Sequence, residues 1–418
     1  MNDASRFDWL RLDPPRVALV LLLMVALFFR VFWLDSPKGS LIFDEVYYVN
    51  ASRVIAHVDV PEGGAYRGSP EGVDPNREHP PLWKVVIAGS IRAFGDNAFA
   101  WRLPSVLAGL AAILFLYLLV VAGSRDAWLG VIAAGAFAFD NLVFVHSRIA
   151  TLDMPFVAML LIAAWLWMRG WRPAAGVACG IAALIKLPAV YGLAALILLE
   201  LGGFAAARLR RRTWDFGALR NAGWILAGFA FTWIAGLWLL DVTFTAFSTP
   251  WEHVRYMLDY GFSISRKGGP ANTESNPWQW LANEVQIPYI RVGEDVSANG
   301  TVIESRTVVA FLGAMNPVFI GAAPLAVAYS AWRAVRLRDR LSLWVVAWIA
   351  GTYLPYLALV LVEQRTSYIY YMLAVLPAVA VATAQLLRQA GLPLAVGIGY
   401  AVGLLIAFAD YFPFRRVF

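Results

Sequence analysis

Long uninterrupted apolar runs constrain the fold of this chain more than any other feature. The first covers residues 17–34, and similar runs recur to the end of a chain of 418 residues, 60% of them hydrophobic and 15% charged. A helix of about 20 apolar residues crosses a bilayer, whereas the strands of a membrane barrel alternate apolar and polar residues. Soluble domains carry roughly 25% charged residues. The sequence therefore predicts an all-α, polytopic membrane protein.

Basic residues between the runs predict the orientation, because lysine and arginine collect in cytoplasmic loops. Arg6, Arg11 and Arg16 place the N-terminus in the cytoplasm, and the basic segments 208–212 and 333–340 mark later cytoplasmic loops. About eleven transmembrane helices result, with the C-terminus outside. This topology accounts for the net charge of +6, so we expect no nucleic-acid partner.

The predicted spans cover residues 17–34, 104–122, 128–145, 154–168, two short helices within 174–201, then 224–244, 308–332, 343–362, 368–387 and 392–408. Lys186 and Pro188 mark the break in the paired short helices, since proline interrupts a helix. Residues 82–94 are apolar but contain Lys84 and Arg92, so we predict a helix that lies on or dips into the outer surface. The chain is expected to form one domain, 1–418, with outer loops at 35–103 and 248–306, the second a loop or small cap.

Two adjacent carboxylates, Asp44 and Glu45, follow the first run and are predicted to emerge at the outer membrane face. A carboxylate there can act as a general base on a group that arrives from water. Other polar residues predicted near this face come from distant segments: His79, Arg148, Asp153, Lys186 and Arg365. Charged groups at membrane depth are costly and mark a pathway or a site, so we expect one outward-facing site.

The predicted cations suit a phosphate, because arginine binds phosphate oxygens in bidentate fashion and lysine adds a compact charge. Each residue also has a structural interpretation. Arg148 could extend to the headgroups, Asp153 could cap the helix that follows it, and Lys186 could be structural. The single Cys179 excludes an internal disulfide and a cysteine metal cluster. No cofactor is expected; a divalent cation beside Asp44, Glu45 and His79 stays open without support.

Several collinear motifs resemble the protein O-mannosyltransferases (GT39), membrane glycosyltransferases of the GT-C class that use polyprenyl-phosphate sugars. The motifs are FDEVYY at 43–48, HPPL at 79–82, SRIATLD at 147–153, GIAALIK at 180–186, SNPW at 275–278, MNP at 315–317, and YY at 370–371 leading to LP at 376–377. Together they span nearly the whole chain. The outer loop is too short for the β-trefoil insertion of eukaryotic members, which suits a compact bacterial member.

The resemblance implies inverting transfer of a sugar, mannose by analogy, from a polyprenyl-phosphate carrier to a protein serine or threonine outside the bacterial cytoplasmic membrane. It makes Asp44 the general base and gives Glu45 an orienting role. It assigns the donor phosphate to Arg148, Lys186 and Arg365. Residues expected to shape the site are His79, Asp153, Asn276, Asn316 and Tyr370.

The sequence leaves two alternatives to protein glycosylation open. The same chemistry could glycosylate a lipid or an envelope glycan, and the chain distantly resembles the transferases that add aminoarabinose to lipid A. A transporter or flippase for an anionic lipid-linked sugar belongs to a different class. Such transporters place paired broken helices in repeated halves, whereas this sequence shows one broken helix and no repeat. The expected partners are therefore the lipid-linked donor, a protein, lipid or glycan acceptor, and membrane lipids.

Overall fold

The computed structural model describes residues 13–206, 208–209, 214, 216–245, 247–264, 273–298 and 301–414, without the side chains of 294–298 and 301–306. Arg6, Arg11 and the basic residues 210–212, which support the predicted orientation, lie outside this part. The helices, here named in chain order, are α1 Pro14–Val31, α2 Glu45–Ile55, α3 Leu82–Phe94, α4 Ala98–Ser124, α5 Ala127–Ala138, α6 Asn141–His146, α7 Asp153–Met168, α8 Arg172–Ile185, α9 Val190–Ala206, α10 Phe216–Phe244, α11 Pro250–Ser263, α12 Pro277–Trp280, α13 Pro317–Arg336, α14 Arg340–Glu363, α15 Leu376–Gln389 and α16 Leu394–Asp410.

Six of the described helices are long and apolar enough to cross a membrane. They are α1, α4, α10, α13, α14 and the continuous stretch Leu187–Ala206 that ends in α9. Four shorter apolar helices accompany them, namely α5, α7, α8 and α16. A mostly helical, polytopic membrane protein is therefore confirmed.

The predicted break near Lys186 is also confirmed. α8 ends at Ile185, Lys186 adopts an extended conformation, and a short 3₁₀ turn, Leu187–Ala189, leads into α9. Glycines hold α8 tightly against α10, since a methyl group on Gly176 would collide with the carbonyl of Ile225. Small residues permit such close helix packing in membranes. The position of Lys186 is thus fixed by a rigid helix pair.

The all-α expectation is wrong in one region. β1, Ile287–Ala298, and β2, Thr301–Gly313, form an antiparallel hairpin. Residues 308–313, predicted to begin a span, belong to β2, where Val308 and Phe311 are buried. A short apolar run does not by itself distinguish a buried strand from a helix. The predicted span at 368–387 likewise begins with a 3₁₀ turn, Ile369–Ala374, before α15.

The predicted surface helix at 82–94 coincides with α3. In the sequence, α2 and α3 lie between α1 and α4, and α3 packs against both α2 and α4. The second outer segment contains α11, α12 and β1, although residues 265–272 lie outside the described part. Parts of α11 and β1 line a cavity.

Candidate active site

A cavity of about 940 Å³ lies where several helix ends and the loops between them come together. Its walls come from the start of α2, the loop before α3, the turn after α8, α11, the start of β1, and the turn before α15. Five of the predicted site residues line it: Asp44, His79, Lys186, Arg365 and Tyr370. Tyrosines from these elements supply much of the remaining wall. The fold thus gathers residues from six separate segments of the sequence.

Asp44 occupies the N-cap position of α2, but its side chain makes no capping hydrogen bond. The carboxylate is therefore left available to the cavity. Burial raises the pKa of Asp44 to about 7; the charge of Lys186 opposes this rise and that of Asp153 adds to it. A carboxylate that titrates near neutral pH has the proton affinity expected of a general base.

Glu45 faces away from the cavity, because successive residues of a helix point about 100° apart. Its buried carboxylate accepts hydrogen bonds from the backbone N–H of Ile42 at 2.7 Å and of Ala150 at 2.8 Å. Arg102 donates to both Glu45 oxygens, at 2.8 and 2.9 Å. The structure therefore corrects the prediction that Glu45 orients the acceptor or the sugar: this carboxylate holds protein backbone and Arg102.

The sequence reasoning missed Arg102, the buried partner of Glu45. Its guanidinium also donates to the carbonyls of Leu34, Ser36 and Ser40, each at 3.0 Å. One ion pair thus ties α4, the loop after α1 and the start of α2 together. The available signal was a charged residue inside an apolar helix, which needs a partner.

Lys186 extends into the cavity wall while paired with Asp153, whose Oδ1 lies 2.7 Å from its Nζ. Its ammonium also lies 5.5 Å from the ring centroid of Tyr370. Asp153 in turn lies 3.8 Å from His146, and His146 Nε2 lies 2.8 Å from the hydroxyl of Tyr289. Asp153 therefore holds the lysine rather than lining the cavity, and a chain of polar contacts reaches the hairpin.

Arg365 and His79 add two polar groups with unused hydrogen-bonding capacity. Within the described residues, Arg365 Nε and His79 Nδ1 are buried and have no hydrogen-bond partner. Burial, followed by the charges of Lys186, Lys84 and Arg365, holds the pKa of His79 well below its usual value. The imidazole is therefore neutral, and Lys186 and Arg365 are the cations that line the cavity.

Lys84 is buried in the protein, not solvated on a surface helix. Its Nζ lies 2.5 Å from Asp74 Oδ2 and donates to the carbonyls of Asn76 and His79, the latter at 2.9 Å. Because the loop before α3 wraps around this ammonium, it presents His79 and the neighbouring Glu78 to the cavity.

Arg148 does not reach the cavity, contrary to prediction. It donates to the carbonyls of Phe29, Phe32 and Trp33 at the end of α1, and its guanidinium lies 5.1 Å from the ring centroid of Phe414. Phe29 lies in the last turn of α1, where carbonyls lack an intrahelical partner, and Phe32 and Trp33 directly follow the helix. Arg148 therefore anchors α1.

Asn276 and Asn316 also lie outside the cavity lining. Asn316 caps α13 by accepting from Val318 N–H at 3.0 Å and donates to the carbonyl of Leu404 at 2.9 Å. Asn276 precedes α12 and donates its N–H to the side chain of Gln279 at 2.8 Å. Both asparagines precede a proline, a helix-start pattern, so the structure corrects their predicted place in the site. In the described part of the chain, no three His, Cys, Asp or Glu side chains cluster as a metal would require.

Comparisons with known proteins show which sequences and folds this chain is similar to. A family model described as dolichyl-phosphate-mannose-protein mannosyltransferase matches residues 78–235. The polyprenol-phosphate-mannose–protein mannosyltransferase of Mycobacterium tuberculosis strain H37Rv is 25% identical over 405 residues, which cover 82% of this chain and 74% of that protein. The S. cerevisiae protein O-mannosyltransferase Pmt1–Pmt2 complex bound to the sugar donor superposes with a TM-score of 0.69 at 12% identity, covering 96% of this chain and 90% of that one. ArnT from Cupriavidus metallidurans bound to undecaprenyl phosphate gives a TM-score of 0.57 at 18% identity, covering 97% and 64%.

The helical architecture is that of a polytopic membrane protein with the GT-C fold, as in the Pmt1–Pmt2 complex and ArnT. The chain is homologous to the mycobacterial polyprenol-phosphate-mannose–protein mannosyltransferases, and its residues 78–235 match the dolichyl-phosphate-mannose-protein mannosyltransferase model.

We predict that Arg102→Met destabilises the protein and lowers activity together. Removing one partner of a buried ion pair leaves an uncompensated charge and costs about 3–5 kcal/mol. The loss of the loop contacts should also displace Asp44. Thermal unfolding in detergent or nanodiscs measures the first effect.

Arg67→Met is the matched control, because Arg67 lies 3.4 Å from Glu62 in an exposed pair of the same outer loop. Exposed pairs contribute little. Equal melting temperatures for the two variants would contradict the role given to Arg102.

Proposed function

We propose that this protein transfers mannose from a polyprenyl-phosphate carrier to a serine or threonine hydroxyl of a protein, with inversion at the anomeric carbon. One observation carries the proposal: an uncapped carboxylate whose pKa lies near neutrality, Asp44, shares one cavity with the cations Lys186 and Arg365. A base and a phosphate-binding pair are the two requirements of a single displacement at a phosphate-linked sugar.

In the proposed step, Asp44 removes the proton of the acceptor hydroxyl as its oxygen attacks the anomeric carbon. The bond between that carbon and the phosphate oxygen breaks, and the electron pair leaves with the polyprenyl phosphate. Lys186 and Arg365 stabilise the negative charge that develops there. Neutral His79 and Tyr370 shape the space around the sugar, while Asp153 and Glu45 act through the groups that they hold.

The membrane arrangement follows from the same proposal. We assign the eleven predicted crossings to α1, α4, α5 with α6, α7, α8, α9, α10, α13, α14, α15 and α16, whose bounds support this assignment. With the N-terminus in the cytoplasm, the cavity and the C-terminus face outward in a bacterial cell membrane. The lipid-linked donor then enters from the bilayer and the acceptor from water.

The direct test is transfer from polyprenyl-phosphate-mannose to a peptide by purified enzyme. Asp44→Asn should lower kcat at least a hundredfold, because general base catalysis contributes about 10²–10⁴-fold. Donor binding should persist, since the cations remain. Near-normal turnover would remove Asp44 from the role of base.

The pH profile tests the environment of Asp44. Because only the deprotonated carboxylate accepts a proton, kcat/KM should rise with pH to a plateau, with a midpoint near the pKa of about 7. Lys186 lowers this pKa and Asp153 raises it. Lys186→Met should therefore move the midpoint to higher pH, and Asp153→Asn to lower pH. Shifts in the reversed directions would contradict the proposed electrostatics.

Arg365→Ala should weaken binding of the lipid-linked donor and raise the donor KM about tenfold or more. The reason is that charge-assisted hydrogen bonds to phosphate are among the stronger hydrogen bonds in proteins. Arg255→Ala is the matched control on α11, where Arg255 is exposed and lies 3.8 Å from Asp259. Arg148→Ala should lower thermal stability instead, since that arginine anchors α1. A donor KM raised by Arg148→Ala but not by Arg365→Ala would reverse the assignment.

A further inference from the structure

The hairpin begins at the cavity itself. Ile287 and Pro288, the first two residues of β1, line the cavity. The ring of the next residue, Tyr289, stacks on Phe43 with centroids 4.1 Å apart, and Phe43 directly precedes Asp44. β1 therefore leads away from the proposed base toward the hairpin turn.

One edge of this hairpin is already occupied. Val309 of β2 forms an antiparallel bridge with Phe414, and the N–H of Ala310 donates to the carbonyl of Pro413 at 2.8 Å. The backbone of Ala310 thus points away from β1. Arg291 of β1 lies directly opposite Ala310 of β2. Because the Ala310 N–H points away from β1, these two residues form a non-hydrogen-bonded pair of the antiparallel ladder. The N–H and C=O of Arg291 therefore point away from β2.

The opposite edge, along β1, is open in the part of the chain that the structure describes. The described sheet has two strands, and no further strand pairs with β1. Pro288, Arg291 and Gly293 are exposed along it. An open edge presents a row of backbone donors and acceptors that another chain can pair with.

We propose that the open edge of β1 docks the acceptor polypeptide in an extended conformation, by strand addition. The inference rests on the proposed function, since it requires a protein acceptor. An added strand pairs through main-chain hydrogen bonds, so it tolerates many acceptor sequences. The edge begins at the cavity that holds Asp44, and a strand advances about 3.3 Å per residue. A docked segment of about four residues would therefore connect the modified hydroxyl to the level of Arg291.

The first test compares Arg291→Pro with Arg291→Ala. Proline removes the outward N–H without removing a bond to β2, whereas alanine removes only the side chain. For an acceptor peptide of about ten residues, Arg291→Pro should raise KM about three- to tenfold, the effect of one lost hydrogen bond. Arg291→Ala should match the wild type, and both variants should handle a single blocked threonine as the wild type does.

A second measurement needs no variant. Acceptor peptides methylated at one backbone nitrogen at a time should show a period of two, because alternate residues of an added strand donate to β1. Sensitivity at every position, or at none, would overturn the docking edge. An unchanged KM for Arg291→Pro, or an equal rise for Arg291→Ala, would also overturn it.

The experiments distinguish failure of the proposed protein acceptor from failure of the docking edge on β1. If the wild type transfers mannose to no peptide and no blocked threonine, the proposed protein acceptor is wrong, and the docking edge with it. If it transfers to both, but Arg291→Pro and nitrogen methylation have no effect on the long peptide, only the docking edge is wrong.

Discussion

The ion pair between Glu45 and Arg102 is the constraint on which the geometry of the site depends. Asp44 follows a loop and is the N-cap of α2. Without further contacts, the backbone at such a position could adopt several conformations. Because Glu45 is locked inward by four hydrogen bonds, the first turn of α2 has one orientation, and the preceding residue must face the cavity. Arg102 fixes the loop on its other side through three carbonyls. Exposed ion pairs could not fix a backbone in this way, because water competes for their charges.

Much of the site could be predicted from the sequence because topology determines which residues share a membrane face. Charge-based orientation and the broken helix at Lys186 were enough to group Asp44, His79, Lys186 and Arg365. Topology does not determine the direction of a side chain, however. Arg148 lies near the predicted face but turns toward the carbonyls of α1, and no pattern in the sequence distinguishes it from Arg365.

The hairpin is a second feature that could not be predicted from the sequence. Residues 308–313 are apolar enough to extend the following span, and only the helix-start signal at Asn316 and Pro317 argues against it. The run is buried because it packs against other elements, as the burial of Val308 and Phe311 shows. Periodicity cannot reveal such packing, since a short buried strand and a helix segment both read as continuous apolar residues.

The pairing of Lys186 with Asp153 resolves a conflict within the cavity. A phosphate requires cations, but a cation beside Asp44 stabilises its charged form and makes it a weaker base. Asp153 offsets part of that effect, since its charge acts on Asp44 in the opposite direction. Arg365 brings the second cation from the turn before α15. Among the described residues, Lys186 is paired with a carboxylate and Arg365 is not. This division of the positive charge allows a carboxylate with a pKa near 7 and the proposed phosphate-binding pair to share one cavity.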